Sequence, residues 1–187
     1  MRHQLARWIS ILAHPFVMIV LLVAIPAMHT TSRNAFGPLL IVSIGVLAPL
    51  AILMIRQVRS ARWSNVDASK PAERRILFAV ALLGLVAALG WLLITDPHSF
   101  LVRGICVIAA FLVVAALLTR WIKLSLHVAF AALTATSLSM LGSAVGYALV
   151  PVVIALWWSR RELSRHSVKE LLVGLLLGVV TGILLVV

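Results

Sequence analysis

The sequence predicts an all-helical fold, a polytopic transmembrane helical bundle of about six to seven membrane segments, and three observations carry that expectation. Of 187 residues, 63% are hydrophobic and only 11% are charged, whereas a soluble domain averages about 45–50% apolar and about 25% charged residues. Apolar runs of near-spanning length recur along the chain with short polar loops between them. The remaining charge is lopsided, 16 Lys plus Arg against 5 Asp plus Glu, for a formal net charge of +11. A bilayer interior cannot hold such a charge, so it must gather in the loops, where anionic head groups or anionic substrates are its natural partners. No nucleic-acid partner is expected. The single cysteine, Cys106, excludes an intrachain disulfide and says nothing about redox compartment. With no internal repeat or low-complexity linker, residues 1–187 read as a single integral membrane domain.

The first apolar run, from Trp8 to about Met28, follows Arg2 and Arg7. Its length of about 20 residues is that of a spanning helix rather than the roughly 7–15 of a signal-peptide core. Pro15 and Pro26 fall near its ends, where a missing amide donor is easiest to tolerate. A polar loop, His29 to Gly37, leads to a second span from Pro38 to Ile55. The loop from Arg56 to Arg75 is the longest and most basic, with Arg56, Arg59, Arg62, Lys70, Arg74 and Arg75. Trp63 in it suits the head-group level. Pro71, before Ala72-Glu73-Arg74-Arg75, reads as the first turn of a helix, which puts Lys70 and Arg74 on one face. Taken alone, this loop is a solvated positive anchor for anionic lipid.

A third span from Ile76 to Thr95 turns at Asp96-Pro97-His98-Ser99 and returns as a fourth from Phe100 to Leu118, with Arg103 near enough to the turn to snorkel. The basic connection Thr119–Lys123 delivers Ser125 and His127 to the mouth of the next helix, where His127 is expected to be solvated. Alone, His127 is more ordinarily an interfacial or packing residue than a catalyst. The fifth run, Ala129 to about Leu141, is rich in Ala, Thr and Ser, which allows close helix approach and a central place in the bundle. Gly142-Ser143 then makes a tight connection to a sixth run ending at Trp157-Trp158, and both runs are short for full spans. The last helix, Leu171 to Val187, carries Gly174, Gly178 and Gly182 at four-residue spacing, a packing stripe.

Between the last two runs lies the longest polar interruption of the second half, Ser159 to Glu170. In a helix starting near His166, Glu170 lies one turn on along the same face, so its carboxylate can hold one imidazole nitrogen and leave the other to act. Arg160 offers a planar cation suited to phosphate oxygens, with the Ser159 hydroxyl beside it. Counting crossings puts the N-terminus and the loops 56–75, 119–125 and 159–170 on one side.

These residues resemble the type-2 phosphatidic acid phosphatase superfamily, in its membrane lipid phosphatase branch. The family's third motif is Ser-Arg, five residues, His, three residues, Asp; here it reads Ser159-Arg160, five residues, His166, three residues, Glu170. The second, Pro-Ser-Gly-His, corresponds to Leu124-Ser125-Leu126-His127, and the first, Lys, six residues, Arg-Pro, is matched loosely by Lys70 and Arg74. The likeness covers about residues 70–178 and leaves the first two helices aside. Leu126 replaces a glycine that lets backbone approach phosphate, and Glu170 lengthens the carboxylate arm.

The resemblance implies a lipid phosphate or pyrophosphate phosphatase working through a phosphohistidine. His166 would be the nucleophile, His127 the general acid and Glu170 the orienting carboxylate. Lys70, Arg74, Ser125, Ser159 and Arg160 would bind phosphate. No metal or other cofactor is implied. Phosphatidic acid, phosphatidylglycerol phosphate and polyprenyl pyrophosphate all fit as substrates. A phosphotransferase moving phosphate between lipids, or a non-catalytic lipid-phosphate-binding membrane protein, would use the same residues. With the site's cations set aside, Arg2, Arg7, Arg56, Arg59 and Arg62 stand against Arg33 and Arg103 across the membrane. Short basic loops stay cytoplasmic, so charge favours a cytoplasmic site in a bacterial inner (plasma) membrane. Many bacterial relatives of that family are thought to face the periplasm, and the two expectations pull apart.

Overall fold

The computed structural model describes residues 1–29, 36–63 and 70–187. Most of the loop expected over His29–Gly37, with Arg33, and the middle of the basic loop, with Ser69, lie outside the described residues. Among the described residues all regular structure is helical. The order is α1 (Arg2–Leu12), α2 (Pro15–His29), α3 (Phe36–Val42), a π-helical turn (Ser43–Leu47) continuing into α4 (Ala48–Arg59), α5 (Pro71–Thr95), α6 (Phe100–Leu118), α7 (Leu126–Met140), α8 (Ala144–Glu162) and α9 (Val168–Val186).

By length and composition, four stretches can cross a membrane: Gly37–Arg59, Ala72–Thr95, Phe100–Leu118 and Val168–Val186. The pair Arg2–Leu12 and Pro15–Met28, bent by 40°, makes a fifth if counted as one broken span. These helices point to a membrane-embedded chain. The expected continuous helix over Trp8–Met28 is thus two helices, because Pro15 brings no amide donor and biases His14 away from helical backbone angles. The fifth and sixth runs are short here too. At 15 residues α7 is about 22 Å long, less than a hydrocarbon core of about 30 Å, and α8 ends in Ser159-Arg160-Arg161-Glu162.

Contacts divide the chain into two compact units, Met1–Thr31 with Ile122–Val187, and Ser32–Trp121. In the second unit the π-helical turn packs on α5 where Gly84 has no side chain; a Cβ there would come within 2.7 Å of the Gly45 carbonyl oxygen. Helix α5 begins at Pro71 as expected, and the Lys70 amide donates to Glu73 Oε2 at 3.0 Å. The turn to α6 closes with Ser99 N–H on the Asp96 carbonyl at 3.0 Å, and the Ser99 side chain accepts from Leu101 N at 3.4 Å. Trp63 is buried at 4% exposure, its amide bonded to the Gln57 carbonyl.

In the first unit α7 is central, with α2, α8 and α9 against it and nearly every residue from His127 to Leu138 buried. The glycine stripe of α9 explains the closest of these contacts. A Cβ at Gly174 would lie 2.7 Å from the Ser125 carbonyl oxygen, one at Gly178 would collide with the Ala129 carbonyl, and one at Gly182 would lie 2.8 Å from the Leu133 carbonyl oxygen. Glycine and carbonyl advance together by four residues, so α7 and α9 run parallel. Ser137 Oγ donates to the Gly182 carbonyl at 3.0 Å and fixes the same register. Between them α8 returns antiparallel after a tight end to α7, where Gly142 takes φ 74° and the amides of Gly142 and Ser143 close onto the carbonyls of Ser139 and Leu138. Helix α1 lies on the last turns of α8.

Candidate active site

The end of α8, the starts of α7 and α9 and the break between α1 and α2 come together in the first unit. Helix α8 stops in a hydrogen-bonded cap of glycine type without the glycine. Ser164 takes φ 52°, its amide donates to the Arg161 carbonyl, and the Arg165 amide donates to the Arg160 carbonyl. The chain turns there and presents His166 immediately before α9. Ser167 is the N-cap: its Oγ accepts from Glu170 N at 3.3 Å, and Glu170 Oε2 accepts from Ser167 N at 3.0 Å, a reciprocal capping box.

The same carboxylate oxygen lies 3.1 Å from His166 Nδ1, and the Lys123 carbonyl oxygen is also 3.1 Å from that nitrogen. A carbonyl only accepts, so Nδ1 carries the proton and the lone pair of the neutral ring sits on Nε2. The expected pairing of His166 with Glu170 is present. His166 is 6% exposed, and its ring is set by one group from the first turn of α9 and one from the connection between α6 and α7.

Ser125 precedes α7 and is completely buried. Its amide donates to the Glu170 carbonyl at 3.2 Å, tying the start of α7 to the first turn of α9. Its Oγ has no hydrogen-bond partner among the described residues. A buried hydroxyl in that state costs about 1–3 kcal/mol. His127, two residues on, is 7% exposed and not solvated as its place beside Lys123 predicted, because the α1–α2 break covers it. The ring of His14 meets the ring of His127 edge to face, with centroids 5.1 Å apart and planes at 88°.

Ser159 and Arg160 are both buried and both engage α1. Ser159 Oγ donates to the Ala6 carbonyl at 2.6 Å, and Arg160 Nη1 donates to Ser10 Oγ at 2.9 Å. Ala6 and Ser10, one turn apart and small, let α1 come this close to α8. The first unit therefore gathers His127, His166, Glu170, Ser125, Ser159 and Arg160 around its helix ends. Lys70 and Arg74 belong to the second unit, at the start of α5, where Lys70 is exposed and Arg74 is 3% exposed.

An apolar cavity of about 430 Å³ lies between α7, α8 and α9, lined by Ala132, Thr136, Val153, Trp157, Leu175 and Val179 among others. Sequence reasoning passed over Ser10 and His14. The signals for them were there: a small-residue pair Ala6 and Ser10 at helical spacing, and a polar residue directly before a proline. Among the described residues no group of three or more His, Cys, Asp or Glu side chains is placed to hold a metal ion. No protein-family model, no curated protein and no solved structure matches the chain.

Proposed function

We propose that this chain is a lipid phosphate or pyrophosphate phosphatase related to the type-2 phosphatidic acid phosphatases. The observation that carries the reading is the His166 ring, with Nδ1 between the Glu170 carboxylate and the Lys123 carbonyl and its lone pair on Nε2. An imidazole oriented in this way is built to attack through Nε2, and the carboxylate stabilises the positive charge that grows on the ring. In this reading Nε2 attacks phosphorus while the bond to the lipid oxygen breaks, and His127 gives that oxygen a proton. Water, surrendering a proton to His127, then attacks the phosphorus–nitrogen bond, and inorganic phosphate leaves with the electron pair returned to Nε2. Arg160 and the buried Ser125 hydroxyl supply donors for the charge spread over the phosphoryl oxygens.

Two further observations favour a lipid as the carrier of that phosphate. The chain has several helices apolar enough to cross a membrane, and the helices α7, α8 and α9 that carry the candidate residues also line an apolar cavity, with a size in the range of about 300–1,000 Å³ usual for ligand pockets. The reading treats the bent α1–α2 pair, α7 and α8 as membrane segments as well, six to seven in all, in a bacterial inner membrane with the site on the cytoplasmic side.

Release of inorganic phosphate from phosphatidic acid, phosphatidylglycerol phosphate and polyprenyl pyrophosphate, in detergent with EDTA present, tests the function. Turnover inhibited competitively by vanadate is expected. Binding of these lipids without any phosphate release would leave a lipid-phosphate binder instead, and activity that required magnesium would place the chain in a different class of enzyme.

A further inference from the structure

Helix α2 begins with His14 at its N-cap and Pro15 at its first position. The Phe16 amide donates to His14 Nδ1 at 3.3 Å, so the imidazole satisfies one of the amides that a helix start leaves open. Because Nδ1 is the acceptor, the neutral ring bears its proton on Nε2. The ring is fixed twice more, edge to face against Phe16 at 4.9 Å and 89°, and against His127 at 5.1 Å and 88°. The helices behind these rings are docked as well, since Thr134 Oγ1 on α7 donates to the Met18 carbonyl on α2 at 3.2 Å. His14 is thus a ring held in place by its own helix and set against the ring of His127.

We propose that His14 is the positioning residue of His127, holding that imidazole in the orientation from which it protonates the leaving oxygen. The inference rests on the phosphatase reading and adds to it a third histidine from the part of the chain that the family resemblance leaves aside. An edge-to-face pair of this kind restricts ring rotation, and a proton donor turned out of line loses rate in the chemical step rather than affinity for substrate.

Two substitutions separate the cap from the ring. His14→Asn keeps an N-cap acceptor and removes the ring; His14→Phe keeps a ring and removes the acceptor. The assay compares a short-chain phosphatidic acid, whose alkoxide needs a proton to leave, with p-nitrophenyl phosphate, whose phenolate leaves without one. For His14→Asn, the single-turnover rate of phosphohistidine formation from the lipid should fall roughly tenfold to a hundredfold, with substrate affinity, Tm and the rate of phosphohistidine formation from p-nitrophenyl phosphate nearly unchanged. His14→Phe should recover part of that rate on the lipid while lowering Tm. An active wild type in which His14→Asn slows phosphohistidine formation equally from both substrates, or from neither, overturns the inference and leaves the phosphatase reading standing. A wild type inactive on both substrates sinks that reading and this inference with it.

Discussion

The start of α9 and the start of α7 each present a histidine, and they are built differently. At α9 the ring is held by hydrogen bonds to one nitrogen, from a carboxylate one turn along the same helix and from the carbonyl of Lys123. At α7 the neighbour is another ring, His14, from a helix near the beginning of the chain. The first arrangement fixes which nitrogen bears the proton, as a nucleophile requires. The second sets the plane of a ring against another ring, as a proton donor that must point at its acceptor requires. The two environments therefore suit the two roles assigned to them.

The largest effect expected comes from removing either ring. His166→Ala should lower turnover of a lipid phosphate by about 10⁴-fold or more, and His127→Ala by about 10²–10⁴-fold, far beyond any loss explained by a modest fall in Tm from truncating a buried ring; near-normal phosphate release by His166→Ala would remove the nucleophile from the scheme. Next, Glu170→Gln keeps a residue able to complete the capping box but withdraws the charge from His166. A loss in kcat of about 10²-fold without loss of Tm is expected, on the analogy of carboxylates that orient a catalytic histidine. An equal loss in His127→Ala and in the double variant with Glu170→Gln would instead mean that the carboxylate serves both rings.

Gly178→Ala probes what the two histidines share. The new methyl group meets the Ala129 backbone, and overpacking of this kind costs about 1–3 kcal/mol, read as a fall in Tm together with a fall in kcat. Retention of both would show that α9 can move off α7 without consequence. The smallest effect is a gain: Ser164→Gly relieves the positive φ at the end of α8 and should add about 0.5–1 kcal/mol of stability, with kcat unaltered.

Much of the first unit was legible because its rules are local. The spacing of His166 and Glu170, the glycines of α9, the Gly142-Ser143 turn and the small residues of α7 each state a contact within one or two turns of helix, and all are present. Pro71 likewise marked the start of α5. What could not be read was lateral. Hydropathy makes Trp8–Met28 one run, but proline geometry divides it. The division creates α1, whose buried Ala6 and Ser10 take up Ser159 and Arg160, two side chains that the local pattern assigned to phosphate. His127 looked solvated for the same reason, since its cover comes from residues with no sequence proximity to it. Lys70 and Arg74 start a helix as expected, within the second unit.

The three glycine seats along α9 behave as detents. Each receives a carbonyl of α7, and the seats repeat every four residues, so the next position at which all three could engage lies about 6 Å away along the axis. Sliding by a fraction of that distance would press a carbonyl against a side-bearing Cα. The height of His166 relative to Ser125, and with it the approach of the His166 ring to the Lys123 carbonyl, is accordingly set in whole steps.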